Sequence, residues 1–172
     1  MIALVGPRGA GKTTVGRRAA EILGRTFVDL DDEIARAAGR PAADVLRASE
    51  AEFRRLEAEC LARALERGPA DLVLATGGGA PVDAVSRSRL RAAAVVWLRA
   101  ERAVLRQRLR RDPGDRPPLP SAEDRDPIYR AVADVVVATD ELDVEGAARL
   151  LAENARSLAA VEKERSYRSN AR

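Results

Sequence analysis

Short apolar runs alternate with longer amphipathic stretches along the chain. The runs are too short for helices and are apolar at consecutive positions, which is typical of strands buried on both faces of a sheet. They are IALV at 2–5, TFV at 26–28, LVLA at 72–75, AVVWL at 94–98 and DVVVA at 134–138. Strands that alternate with helices favour right-handed βαβ crossovers. The pattern therefore predicts an α/β protein with a five-stranded parallel sheet flanked by helices.

The stretches between these strands carry the periodicity and the end signals of helices. Gly24 follows the first stretch as a natural C-terminal stop. Ser49, with Glu52 three positions later, is a capping-box pattern at the start of the longest one. The predicted helices span 12–23, about 49–67, 83–91, 101–111 and 144 to about 158.

Two segments depart from this alternation. The stretch DPGDRPPLPSAEDRDP at 112–127 is too rich in proline and charge for long regular structure, and we predict a short lid loop over about 112–124. The last residues carry little apolar content. We therefore predict one domain over 1–158 and a frayed or disordered tail over 159–172.

The composition excludes several kinds of catalytic and metal-binding site. A chain of 172 residues corresponds to one domain. It has no histidine, which excludes a histidine general base and imidazole metal sites. Cys60 is the only cysteine, so no disulfide can form within the chain. The start, MIALVG, lacks the basic region and cleavage site of a signal peptide. We expect a soluble cytoplasmic monomer that binds neither membrane nor nucleic acid, because the arginines are interleaved with acids.

The stretch GPRGAGKT at 6–13 matches the phosphate-loop pattern, and it follows a predicted strand and opens a predicted helix. Backbone N–H groups of Gly9, Ala10 and Gly11 are expected to converge on phosphate oxygens at the helix N-terminus. Lys12 supplies a charge for the β- and γ-phosphates. The hydroxyl of Thr13 is available to Mg²⁺, and Thr14 follows it in the first turn. The sequence therefore predicts a site for ATP and Mg²⁺.

Three carboxylates crowd the end of the second strand in FVDLDDEIA, where Asp29, Asp31 and Asp32 lie within four positions. In a parallel sheet this strand end faces the same crevice as the phosphate loop. A carboxylate there can support Mg²⁺ through water or take a proton from an attacking alcohol. Asp32 is predicted to cap or begin the next helix. The alternative for all three is an acidic cluster favoured by the helix dipole.

Other residues are candidates for binding the molecule that accepts the phosphoryl group. Arg54 and Glu57 are three apart on one helix face, and they form either a solvated ion pair or a pair in which Glu57 orients Arg54 toward an anion. The glycines of TGGGAP at 76–81 indicate a loop whose backbone contacts a small ligand. Arg116 and Arg125 flank the lid, where they can close over phosphate or substrate.

Taken together, these motifs resemble those of the shikimate kinase family over about residues 1–155. The matching stretches are GPRGAGKTTVGR, FVDLDDEIA, AEFRRLE, TGGGAP, DRPPL and RDPIYRAVAD. The resemblance implies the three-layer P-loop kinase fold. It also implies ATP-dependent phosphorylation of the 3-hydroxyl of shikimate, a step of aromatic amino acid biosynthesis. The alternatives are a kinase of another small molecule, such as gluconate or a nucleoside monophosphate, and an ATP-binding paralogue with impaired catalysis.

The resemblance further implies roles for individual residues. Asp31 corresponds to the aspartate that binds substrate hydroxyls and takes the proton, and Asp29 to the one that supports Mg²⁺ with Thr13. Arg54 and Arg125 would hold the shikimate carboxylate, with Glu57 steadying Arg54. The remaining implied contacts are Gly78 and Gly79 to the substrate, Arg116 as the lid arginine that reaches phosphate, and Arg110 or Arg111 near adenine.

Two departures from the family pattern are visible. Arg116 and Arg125 are closer together than in typical members, because the segment between them is shorter. Ser49 stands where the family usually has glycine. A shortened lid is expected to exclude water poorly, so we expect weaker turnover or more uncoupled ATP hydrolysis than a full-length lid would give.

Overall fold

The protein is described by a computed structural model that covers the backbone of residues 1–67, 71–111 and 125–170. Side chains are described for 1–66, 71–111 and 125–158. The predicted lid at 112–124, with Arg116, lies outside the described residues.

The described parts of the chain form five strands and eight α-helices, with at least one helix between successive strands. The strands are β1 (Ile2–Val5), β2 (Thr26–Asp29), β3 (Leu72–Ala75), β4 (Ala94–Arg99) and β5 (Val135–Ala138). The helices are α1 (Lys12–Leu23), α2 (Leu30–Ala38), α3 (Ala42–Ala48), α4 (Glu50–Arg67), α5 (Ala84–Leu90), α6 (Arg102–Arg111), α7 (Asp126–Val132) and α8 (Val144–Asn170), and a 3₁₀ turn spans Ala80–Val82.

The strands form one parallel sheet in the order β2-β3-β1-β4-β5, which confirms the predicted α/β architecture. In the register, Leu4 of β1 lies beside Ala75 of β3, and Ala75 lies beside Asp29 of β2. The carboxyl ends of the three strands therefore reach one edge. Since β1 lies at the centre, the loop that follows it opens at the middle of that edge, where ligands of open parallel sheets bind.

Alternate residues of each strand face opposite sides of the sheet, and each side has its own core. Ala3, Val5, Leu74 and Trp97 face a core closed by α2–α5 and α7. Ile2, Leu4, Val73 and Leu98 face a second core, closed by α1 and α8. Both faces of the central strands are buried, which explains why these runs are apolar at every position.

The helices depart from the sequence-based boundaries in three places. The sequence did not predict α3, which spans seven residues, or α7. Pro127 lies in the first turn of α7, where a backbone N–H has no partner within the helix. Regular structure therefore begins at Asp126, inside the segment that was predicted to be irregular. Helix α8 continues to Asn170, through most of the segment 159–172 that the sequence assigned to a frayed or disordered end.

Among the described residues, no helix is long and apolar enough to cross a bilayer.

Candidate active site

The loop between β1 and α1 has the form of a phosphate cradle. Gly9 and Gly11 have φ values of 83° and 94°, a region that L side chains rarely adopt, so glycine is needed at both positions. Nζ of Lys12 donates to the carbonyl oxygens of Gly6 at 2.8 Å and Pro7 at 2.9 Å. The lysine charge is thus held over the loop, beside the N-terminus of α1, where the helix dipole also favours an anion.

Asp29 connects this loop to the second strand. Its Oδ2 accepts a hydrogen bond from the hydroxyl of Thr13 at 2.6 Å, and its Oδ1 accepts one from the backbone N–H of Asp31 at 2.9 Å. The second bond makes Asp29 the N-cap of α2. Asp32, predicted to cap or begin this helix, therefore does not cap it: Asp32 is exposed in the first turn, three positions after the N-cap.

These residues surround a cavity of about 760 Å³ at the carboxyl edge of the sheet. Its phosphate side is residues 8–15, which include Gly9, Ala10, Gly11, Lys12, Thr13 and Thr14. Asp29 and Asp31 lie on its wall, and so do Gly77 and Gly78 from the loop after β3. The structure thus brings the phosphate loop, two carboxylates and the loop of Gly77, Gly78 and Gly79, called the glycine loop below, to the edge of one cavity.

Arg54 and Glu57 form an ion pair behind the glycine loop. Nη1 of Arg54 lies 2.8 Å from Oε2 of Glu57, whose side chain is only 4% exposed. Partial burial works to lower the pKa of Arg54, but its hydrogen bonds to Glu57 and Glu50 and their charges together raise the pKa above its ordinary value. The guanidinium is therefore charged, and its partner is too buried for this to be a solvated surface pair.

The glycine loop lies directly against this ion pair. A Cβ at Gly77 would collide with Oε1 of Glu57, and one at Gly79 would collide with Nη1 of Arg54. Gly78 lines the cavity, whereas Gly79 and Arg54 are not among the described residues that line it. Two of the three glycines therefore make room for the ion pair, a reason that the sequence did not indicate.

Arg125 and Tyr129 occupy the first helical turns next to this loop. Arg125 immediately precedes α7, and its Nη1 is buried with no hydrogen-bond partner among the described residues. The hydroxyl of Tyr129 donates to the carbonyl oxygen of Gly78 at 2.6 Å. Tyr129 was missed by the sequence analysis, because a single tyrosine just after a proline-rich stretch carries no spacing signal.

The other end of the cavity is formed by α6 and the loop before α8. Arg108 lines it, and its guanidinium donates to the hydroxyl of Thr139 at 3.0 Å and to the carbonyl oxygen of Gly9 at 3.4 Å. Residues 142–144 line the same end. Arg110 and Arg111, one of which the resemblance implies lies near adenine, are exposed and are not among the described residues that line the cavity. Arg108, on the same helix, does line it.

The oxygens of Thr13 and Asp29 fit a magnesium site. Both are hard donors of the kind Mg²⁺ prefers, and Mg²⁺ is typically bound by one or two carboxylates together with substrate phosphates. The described residues contain no group of three or more acidic, cysteine or histidine side chains that would form a complete metal cage. The donor set therefore suits an ion that arrives with a nucleotide.

A parallel sheet of this order with a phosphate loop after its central strand defines a P-loop nucleotide-binding protein of the kinase type. Comparison with known proteins narrows this class. A family model described as shikimate kinase matches residues 8–156. The chain belongs to the shikimate kinase family.

Curated relatives and solved structures agree with this assignment. The shikimate kinase of Nitrobacter winogradskyi is 44% identical over 156 residues, which cover 84% of this chain and 71% of that protein. That of Stenotrophomonas maltophilia R551-3 is 45% identical over 149 residues, covering 80% of this chain and 81% of that protein. The structure of shikimate kinase from Acinetobacter baumannii in complex with shikimate has a TM-score of 0.78 and 40% identity, covering 94% of this chain and 93% of that one.

A more distant solved structure shares the fold alone. A gluconokinase from Sinorhizobium meliloti has a TM-score of 0.58 at 19% identity.

Proposed function

We propose that this protein transfers the γ-phosphoryl group of ATP to the 3-hydroxyl of shikimate, giving shikimate 3-phosphate and ADP. One observation carries the proposal: the phosphate loop and Asp31 line a single cavity, and the glycine loop on its wall is backed by the Arg54–Glu57 ion pair. A carboxylate-bearing alcohol would meet a proton acceptor in this cavity, with the guanidinium of Arg54 directly behind the glycine loop. The solved relative from Acinetobacter baumannii, in complex with shikimate, supports the choice of acid.

On the donor side, the backbone of Gly9, Ala10 and Gly11 and the ammonium of Lys12 bind the phosphates of ATP. Thr13 and Asp29 would hold Mg²⁺, which when bound neutralises charge on the phosphates. Thr14 completes the first turn of α1 at the phosphate end of the cavity. We assign the adenine end to Arg108 rather than to Arg110 or Arg111, since Arg108 lines the cavity.

On the acceptor side, Arg54 and Arg125 hold the carboxylate of shikimate. A guanidinium fork matches a carboxylate in geometry. The buried Nη1 of Arg125 supports this role, because a buried donor without a partner is costly unless a ligand satisfies it. Backbone groups of Gly78 and Gly79 contact the substrate, Gly78 from the cavity wall. Arg116, which lies outside the described residues, is assigned to the binding of the transferred phosphate.

The reaction requires one bond to form and one to break. The 3-oxygen of shikimate attacks the γ-phosphorus, and the bond from that phosphorus to the β–γ bridging oxygen of ATP breaks, so ADP leaves. Asp31 accepts the proton of the attacking hydroxyl. Phosphoryl transfer depends mainly on positioning and charge neutralisation, so a histidine base is not needed.

A substrate panel tests this proposal. ADP release is measured with shikimate, with gluconate, with a nucleoside monophosphate and with no acceptor, for the native chain and for Asp31→Asn and Arg54→Ala. We expect release with shikimate, a large loss of rate in Asp31→Asn and a large rise in KM for shikimate in Arg54→Ala. Equal release with and without shikimate would contradict a kinase that acts on this acid.

Calorimetric titration separates binding from turnover. Shikimate is titrated into the protein with and without a non-hydrolysable ATP analogue. Binding without ADP release would indicate an ATP-binding paralogue, and the absence of shikimate binding would indicate another acceptor.

We further propose that the protein acts as a monomer, in the cytoplasm, where ATP is supplied. Light scattering at assay concentration should give the mass of one chain, and a dimer mass would contradict this.

A further inference from the structure

Tyr129 lies at the junction of α7 and the glycine loop without any role in the steps above. Its hydroxyl donates to the carbonyl oxygen of Gly78 at 2.6 Å, and the residue is 2% exposed. It follows Arg125 by one helical turn, with its backbone N–H donating to the carbonyl oxygen of Arg125 at 2.9 Å. One short segment thus carries a carboxylate-binding arginine and a bond to the cavity wall.

We propose that Tyr129 is a positioning residue for the acceptor: its hydroxyl fixes the carbonyl of Gly78 and so holds the glycine loop in its substrate-binding conformation. This inference rests on the proposed function, because it concerns the binding of shikimate at that site.

The glycine loop needs such a restraint. Three consecutive glycines have no side chains with which to anchor themselves, and glycine has the largest conformational freedom to lose on folding. Gly77 and Gly79 are confined by Glu57 and Arg54, which occupy the space of their missing side chains. Gly78 lines the cavity but is not confined by either member of the ion pair, so the hydroxyl of Tyr129 restrains the cavity-lining glycine that this pair leaves unconfined.

The tyrosine ring is itself held rigidly enough to act as a fixed donor. It packs against Trp97 of β4 with ring centroids 5.8 Å apart, and Trp97 is fully buried in the sheet. A ring fixed by a strand places its hydroxyl at one position. Tyr129 and Trp97 therefore fix the glycine loop relative to the sheet, and the same sheet positions the phosphate loop.

The phenol keeps its proton at physiological pH. Burial raises the pKa of Tyr129 to about 12, and the positive charge of Arg125 beside it works against that shift without cancelling it. The hydroxyl consequently remains a hydrogen-bond donor wherever the enzyme works.

Steady-state kinetics of Tyr129→Phe test the inference, since this variant keeps the ring and removes the hydroxyl, which donates to Gly78 and is also hydrogen-bonded to Arg125. We expect KM for shikimate to rise on the order of tenfold, as the loss of one buried hydrogen bond implies. KM for ATP should stay within about twofold, because the donor side of the cavity is untouched.

Val132→Ala provides the matched control. Val132 lies on the same helix and is partly buried against the same core, so its truncation weakens the packing of α7 without removing a hydroxyl. We expect a lowered melting temperature and an unchanged KM for shikimate. If Val132→Ala raises this KM as much as Tyr129→Phe, the tyrosine is a packing residue and the inference is wrong.

The other outcomes are equally decisive. An unchanged KM for shikimate in Tyr129→Phe, or an equal rise in KM for ATP, would overturn the positioning role while the native chain still phosphorylates shikimate. A native chain without activity on shikimate would instead remove the proposed function, and this inference with it.

Discussion

Thr13 donates its hydroxyl hydrogen to Asp29 at 2.6 Å, and this contact joins the phosphate loop to the end of the second strand. The other oxygen of the same carboxylate caps α2, the helix that carries Asp31. One side chain therefore sets the position of the proposed magnesium ligand and of the proposed proton acceptor. Changing its charge without changing its shape separates these two tasks.

Asp29→Asn should weaken magnesium dependence more than it weakens the fold. Asparagine caps helices about as well as aspartate, so α2 is expected to stay intact. The lost charge should raise the magnesium concentration needed for half-maximal rate by on the order of 10–100-fold, as is typical when a residue supporting a metal site is replaced. The measurement is ADP release against free Mg²⁺ at saturating ATP.

Asp32→Asn is the control for that experiment. Asp32 lies in the first turn of the same helix but is exposed, and it is not among the described residues that line the cavity. Its magnesium dependence should match that of the native chain. If both variants shift the magnesium concentration needed for half-maximal rate by a similar factor, the effect comes from the loss of any negative charge near the N-terminus of α2.

Arg54→Lys should reduce acceptor binding although the positive charge is kept. Lysine cannot reproduce the fork that Arg54 offers to Glu57 and to a carboxylate. Loss of a hydrogen bond to a charged group is worth roughly 1.5–3 kcal/mol, so KM for shikimate should rise by about 10–100-fold.

The neighbouring Arg55→Lys substitution is the control. Arg55 pairs with Glu59 on the outer face of α4, where the two side chains are 60% and 51% exposed. Exposed pairs contribute little, so its kinetics and stability should be unchanged. A comparable KM rise in Arg55→Lys would mean that α4 itself, and not the guanidinium of Arg54, determines binding.

Gly79→Ala should affect function without much effect on folding. The added methyl group would collide with the guanidinium end of Arg54, which is flexible enough to move away. We therefore expect a melting temperature close to that of the native chain and an increased KM for shikimate, because the displaced guanidinium no longer faces the carboxylate. Kinetics and thermal unfolding of one preparation test this, and a large stability loss with unchanged KM would contradict it.

The sheet and the phosphate loop were predictable because their signals are local. Apolar residues at consecutive positions report burial on both faces, and the spacing of Gly6, Gly11 and Lys12 is dictated by the phosphate itself. These features depend on neighbours in the sequence. The fold confirms the predicted sheet, and the loop at residues 8–15 lines the cavity at its carboxyl edge.

The features that sequence reasoning missed depend on contacts across the fold. Gly77 and Gly79 are glycines because side chains from α4 fill their space, and Arg108 reaches the cavity because α6 packs beside Gly9. Asp29, rather than Asp32, caps α2 because the helix begins earlier than the apolar pattern suggests. Each of these facts needs the position of a second element, which periodicity does not supply.

Ser49→Ala should lower the free energy of unfolding by about 1 kcal/mol. Ser49→Gly should lower it by only about a few tenths of a kcal/mol. Oγ of Ser49 accepts a hydrogen bond from the backbone N–H of Glu52 at 3.2 Å and so caps α4. The other half of the predicted capping box is not formed, because the carboxylate of Glu52 pairs with Arg40 at 2.8 Å. Urea unfolding of both variants provides the measurement, and equal losses would contradict a capping role.

Glu145 should make the stability of the α1–α8 contact depend on pH in the acid range. Its carboxylate accepts from Arg18 of α1 at 2.6 Å and from Arg149 at 2.8 Å. The hydrogen bond from Arg18, followed by that from Arg149, lowers the pKa of Glu145 from 4.5 to about 2. Between these two values the unfolded chain binds more protons at this site than the folded chain does.

Stability from Glu145 is therefore fully present above about pH 4.5 and is lost as the pH falls toward 2. We expect Glu145→Gln to lower the urea midpoint at pH 7. The difference in urea midpoint between this variant and the native chain should shrink steadily below pH 4.5. The difference should be small and should decrease with added salt, because the pair is exposed to solvent. Glu153→Gln removes a charge from the same helix outside this contact and should show no such trend. A difference that stays constant down to pH 3 would mean that it does not come from the charge of Glu145.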